Sequence, residues 1–116
     1  MSKFLRSMSF AWDGIRRTVQ TQRNMRIHAV AAVIVNAAGL LLGLTRMEWV
    51  SILIVQGLVL AAELVNTAVE HIVDLTSPER NALAKSAKDA AAGAVLMTAI
   101  MAAIVGLIVF GPYVLH

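Results

Sequence analysis

Residues 90–110 read AAAGAVLMTAIMAAIVGLIVF, without a charged side chain. About 20 such residues in a helix cross the ~30 Å hydrocarbon core of a bilayer. A second apolar run, residues 49–75, opens on WVSILIVQGLVL, and a third, residues 28–45, carries Asn36 as its one polar break. The chain has 116 residues, of which 59% are hydrophobic. A soluble domain of that length cannot hide so much apolar surface. The expected fold class is therefore an all-α integral membrane protein forming a single membrane-embedded domain, with spans at about 28–45, 49–75 and 90–110.

The hinge between the first two runs is only TRME, residues 45–48, so they must form an antiparallel hairpin. The second connection, TSPERNALAKSAK, is longer and polar, with Pro78 as a breaker. Every Lys and Arg except Arg46 falls before the first run or between the second and third. The positive-inside rule then predicts a cytoplasmic N-terminus and a C-terminus on the far side. Residues 4–20, FLRSMSFAWDGIRRTVQ, gather Phe4, Met8, Ala11, Trp12, Ile15 and Val19 on one helical face opposite Arg6, Asp13, Arg17 and Gln20. That pattern predicts an amphipathic helix in the cytoplasmic interface. There is no cysteine, which excludes disulfides and thiolate metal sites. No nucleic-acid partner is expected.

The second run turns polar where it should stay apolar. Glu63, Asn66, Glu70 and Asp74 follow one another at intervals of three, four and four residues, within an arc of roughly 80° on a helix. With Trp49 at the outer interface, Glu63 lies ~21 Å along the helix, still inside the hydrocarbon. A lone charge there costs at least ~2.5–3.5 kcal/mol. The bland reading is a carboxyl that fixes helix packing. The functional one is a path from a buried base to the cytoplasm, with Glu63 taking a proton from a hydroxyl that arrives in the lipid. Just before the third run, Lys85, Lys88 and Asp89 share a face. Lysines beside carboxylates at the membrane mouth suit a polyphosphate held with a divalent metal, although plain positive-inside anchoring also accounts for them. The chain lacks GxxxxGK[ST] and GxGxxG, so no soluble nucleotide-binding fold is expected.

ELVNTAVEHIVDL followed by LAKSAKDAAAGAV, with SFAWDGIRRTVQTQRNMRIHA upstream, resembles the prokaryotic diacylglycerol kinase family, in particular its undecaprenol kinase branch. The resemblance covers nearly the whole chain. It implies a homotrimer in the bacterial plasma membrane, with composite active sites that transfer the ATP γ-phosphate to a lipid alcohol. It implies Glu63 as the catalytic base supported by Asn66, and Glu70 as a ligand of nucleotide-bound Mg²⁺. Asp74, Asn81, Lys88 and Asp89 are implied on the nucleotide. Position 22 departs from the pattern: TQRNM stands where the family has TERNF, so Gln22 keeps an oxygen ligand for the metal but loses its charge, and turnover is expected to fall. Asn81 stands where relatives often have His.

Undecaprenol is the expected acceptor, with diacylglycerol as the alternative on the same scaffold. A non-catalytic channel or assembly protein is the alternative of another class. Above Glu63 the second run has only Gln56 and Ser51 as polar residues, a poor through-path for ions. Gly39 and Gly43 form GxxxG in the first run and small residues open the third, which is expected to favour close helix contacts between copies.

Overall fold

The computed structural model describes residues 2–79 and 81–115. Its regular structure is entirely helical: α1 (Lys3–Thr21), α2 (Arg23–Leu42), α3 (Arg46–Thr76) and α4 (Ala82–Val114). The last three are long and apolar enough to cross a membrane.

Each boundary has a local cause. The Ser2 hydroxyl accepts from the Leu5 amide at 3.2 Å and starts α1. Gln22 is extended, at φ −108° and ψ 116°, and separates α1 from α2. Arg26 holds that corner by donating from Nη1 to the carbonyls of Gln20 (2.8 Å) and Val19 (3.2 Å). These are among the carbonyls a helix C-terminus leaves without intrahelical partners. Gly43 ends α2 in the left-handed region at φ 71°, a conformation in which a Cβ would be strained. Thr45 and Glu48 form a capping box that starts α3, with bonds of 3.2 and 2.9 Å. Asn81 caps α4, its Oδ1 accepting from the Ala84 amide at 2.7 Å.

The helices overrun the apolar runs. At 1.5 Å per residue, the 31 residues of α3 reach about 46 Å, well beyond a ~30 Å core. The 33 residues of α4 reach about 50 Å. The surplus carries Glu70 and Asp74 at one end of α3, and Lys85, Lys88 and Asp89 at the facing end of α4.

α3 is the central element and packs most extensively against α4. Its buried residues are Ile52, Val59, Glu63 and Thr67, which fall on one face at helical spacing. That face begins apolar and turns polar at Glu63. Leu44, Ile52 and Val109 form the apolar core near the hinge, with Val35, Trp49, Val105, Phe110 and Tyr113 packed on it. At the same end the Tyr113 hydroxyl donates to Glu48 Oε1 at 2.6 Å, tying the end of α4 to the start of α3. Large apolar side chains, such as Leu41 at 89% and Ile108 at 69% exposure, are left largely uncovered by the rest of the chain. Such surface suits lipid or neighbouring helices. The α1 side chains Phe4, Met8 and Trp12 are likewise exposed.

Gly39 and Gly43 both have duties inside the chain. A Cβ on Gly39 would stand 2.9 Å from Leu44 Cδ1 and 2.9 Å from Trp49 Cη2. Gly39 is therefore the seat that lets Trp49 of α3 close onto α2. Gly43 is a helix stop.

Candidate functional site

α3 borders two cavities of opposite character. The first is an apolar groove of about 470 Å³ between α2, α3 and α4. Val35, Ile52, Val59, Gly106 and Phe110 line it, and its polar side chains are His28 and Gln56. The second is a charged cavity of about 600 Å³ where α3 meets α4, lined by Asp74, Glu79, Asn81, Lys85, Lys88 and Asp89. Glu63 and Asp74 are separated by about 16 Å along α3.

Glu63 has 2% of its surface exposed. Its Oε1 lies 3.5 Å from Nε2 of His28, and among the described residues that oxygen has no hydrogen-bond partner. Asn66 Oδ1 is also buried and unpartnered among the described residues. Leaving a buried acceptor unsatisfied costs about 1–3 kcal/mol. Two such oxygens on adjacent turns of one face mark a place built to receive a donor. Thr67 is committed elsewhere: its hydroxyl donates to the Glu63 carbonyl at 2.9 Å.

His28 did not figure among the residues singled out from sequence, yet a signal for it exists. The hinge at residues 45–48 folds α2 back along α3 with arms of similar length. His28 lies about as far before the hinge as Glu63 lies after it. The same symmetry pairs the heights of Asn36 and Gln56, whose Oδ1 and Nε2 are buried without partners among the described residues.

Four of the residues expected on a nucleotide line the charged cavity together: Asp74, Asn81, Lys88 and Asp89. Lys88 Nζ is 2.5 Å from Asp74 Oδ1, bridging α4 to α3. Lys85 Nζ is 2.6 Å from Asp89 Oδ2 within α4. All four charged partners keep at least 40% of their side-chain surface exposed, so an incoming anion can compete for the lysines. Asn81 has a structural duty as the α4 cap.

The two expected metal ligands are not joined by any hydrogen bond in the described structure. Gln22 sits at the α1–α2 corner, where its side chain makes no capping bond. Glu70 is half-buried on α3, and its carboxylate forms no ion pair with the described residues. Among the described residues no three His, Asp or Glu side chains gather as a metal cage. Both side chains nevertheless offer the oxygen donors that magnesium takes. That ion commonly binds through one or two protein ligands and completes its shell with phosphate and water.

The chain thus sets an apolar groove, a buried carboxylate beside the groove residue His28 and a charged cavity at the end of the same helix in one bundle of long apolar helices. The profile described as Prokaryotic diacylglycerol kinase matches residues 9–110. The chain is 44% identical over 112 residues to the undecaprenol kinase of Bacillus subtilis (strain 168), covering 97% of this chain and 91% of that enzyme. It is 46% identical over 101 residues to a diacylglycerol kinase of Synechocystis sp., covering 86% of this chain and 58% of that protein. A diacylglycerol kinase of Sinorhizobium sp. is 33% identical over 81 residues, covering 70% of this chain and 58% of that protein. The chain belongs to the prokaryotic diacylglycerol kinase family. It is a multi-pass membrane protein, and membership in a kinase family displaces the channel alternative.

Proposed function

We propose that this protein transfers the γ-phosphate of ATP to undecaprenol at the cytoplasmic face of the bacterial plasma membrane, giving undecaprenyl phosphate. The observation that carries the proposal is the position of Glu63, buried beside the groove-lining His28 and linked by one helical face to a charged cavity that opens to water. The acceptor hydroxyl reaches the carboxylate from the lipid. The nucleotide reaches Lys88, Asp89, Asp74 and Asn81 from water. Similarity to the Bacillus enzyme over nearly the full length of both chains supports undecaprenol as acceptor.

In this reading Glu63 takes the hydroxyl proton as the oxygen forms its bond to the γ-phosphorus, and the bond to the β-phosphate breaks to leave ADP. Asn66 holds the hydroxyl or the carboxylate in line. Lys88 offsets phosphate charge, and positioning with electrostatics supplies most of the rate. Glu70, with Gln22 as a weaker neutral donor, would hold magnesium entering with the nucleotide, and that ion would neutralise charge on the phosphates. The N-terminus is cytoplasmic and α1 lies in the interface. The outer apolar faces of α2 and α4 are consistent with a homotrimer.

Diacylglycerol is the second reading, favoured by the Synechocystis and Sinorhizobium relatives. The test is transfer from labelled ATP and Mg²⁺ to undecaprenol and to diacylglycerol in mixed micelles, for the chain and for Gln22→Glu. Preferential labelling of undecaprenol supports the proposal. Preferential labelling of diacylglycerol replaces it with the second reading. Labelling of neither lipid by either form rejects both.

A further inference from the structure

We infer that His28 is a positioning residue for Glu63: its Nε2–H donates to Glu63 Oε1 and holds the carboxylate toward the groove where the acceptor hydroxyl arrives. The inference rests on the lipid-kinase reading for its consequence in catalysis, and on geometry alone for the contact.

Three observations carry it. The first is proximity. His28 Nε2 is 3.5 Å from Glu63 Oε1, and among the described residues no other donor reaches that oxygen. Catalytic contacts of this length commonly tighten when substrate binds.

The second is placement. His28 lines the apolar groove, and Glu63 is not among the lining residues. The histidine side chain keeps 26% of its surface exposed against 2% for the glutamate. A hydroxyl entering the groove therefore meets the imidazole first, with the carboxylate directly behind it.

The third is rigidity. His28 stands one turn into α2, after Met25, which is only 3% exposed. Arg26 pins the same turn to the end of α1 by two hydrogen bonds. The imidazole is therefore presented from a fixed backbone.

The chemical logic is that of a neutral donor. A carboxylate at this depth must be ionised to accept a proton, and a lone anion is costly there. A neutral imidazole N–H satisfies one carboxylate oxygen and adds no second charge to the membrane interior. The other oxygen stays available to the hydroxyl. His28 takes no proton in this scheme. The proton passes from the acceptor hydroxyl to Glu63 as before.

The test compares the full chain with His28→Ala and His28→Gln in mixed micelles with undecaprenol, ATP and Mg²⁺, each also in the Gln22→Glu background. Gln is chosen because its amide can place an N–H near the position of Nε2. His28→Ala is expected to lower kcat by roughly tenfold to a hundredfold, the range for losing a hydrogen bond to a charged group, with KM for ATP unchanged. His28→Gln is expected to recover most of that loss. Wild-type kcat in His28→Ala, or a His28→Gln variant as slow as His28→Ala, overturns the role.

A second readout does not need turnover. The infrared carboxyl bands of Glu63, assigned by their loss in Glu63→Gln, are expected to move in His28→Ala and to stay near their wild-type positions in His28→Gln. Bands unmoved by His28→Ala overturn the contact. A chain that phosphorylates no lipid but shows the shifted bands refutes the kinase reading and leaves the contact standing.

Discussion

Lys88 Nζ stands 2.5 Å from Asp74 Oδ1 and joins α4 to α3 across the connection that contains Pro78. Both side chains are substantially exposed, at 40% and 65%, and an exposed ion pair contributes only about 0–1 kcal/mol to stability. In the proposed function Lys88 matters for the positive charge it holds at the charged cavity. Lys88→Ala is expected to change the unfolding free energy by less than about 1 kcal/mol. It should weaken ATP–Mg²⁺ binding by roughly tenfold or more, the scale of a lost charge-assisted contact. Calorimetric titration beside thermal unfolding of the same sample checks both halves.

Gln22 is the residue where charge and geometry disagree. Its side chain makes no capping bond at the α1–α2 corner, but a neutral amide is a weaker magnesium ligand than a carboxylate. Gln22→Glu is expected to lower the Mg²⁺ concentration needed for half-maximal transfer and to raise turnover. A magnesium titration at fixed ATP measures it.

Gly39→Val should be destabilising for a reason remote from chemistry. A Cβ there already meets Leu44 and Trp49 at 2.9 Å, and overpacking of this kind costs about 1–3 kcal/mol. Adding Trp49→Ala makes room and should return part of the loss, a coupling that a double-mutant cycle in detergent reads directly.

Tyr113→Phe removes the 2.6 Å bond to Glu48 at the opposite end of the bundle from the charged cavity. Stability is expected to fall, because the bond ties the end of α4 to the start of α3. The KM for ATP should not change, because that bond touches neither cavity. Unfolding and steady-state kinetics together separate the two.

The sequence was most informative where one helix decides the matter. Glu63, Asn66, Glu70 and Asp74 share a face because of helical period alone, so the polar arc could be read before any packing was known. The three long apolar helices follow from the span rule in the same way. Contacts between helices were harder. The His28–Glu63 approach depends on the register of the α2–α3 hairpin, which Gly43 and the seating of Trp49 on Gly39 determine. The GxxxG pattern left open whether those small residues serve a close approach within a chain or between chains, because spacing does not distinguish the two. Asn81 was read only as a nucleotide contact, although an Asn directly before ALAK is also an N-cap signal. Gln22 sits at the α1–α2 corner and Glu70 on α3, so whether they share a metal is not a matter of periodicity.

The most direct measurement is ATP–Mg²⁺ binding and phosphate transfer to undecaprenol by Glu63→Gln, side by side with the parent chain and with both in the Gln22→Glu background. In the proposed division the buried carboxylate acts on the acceptor and the charged cavity holds the nucleotide, so binding should persist near parental affinity. Transfer should fall by roughly a hundredfold to ten-thousandfold, the usual contribution of a general base. Transfer at the parental rate, or loss of nucleotide binding with the base removed, would contradict the division of labour along α3.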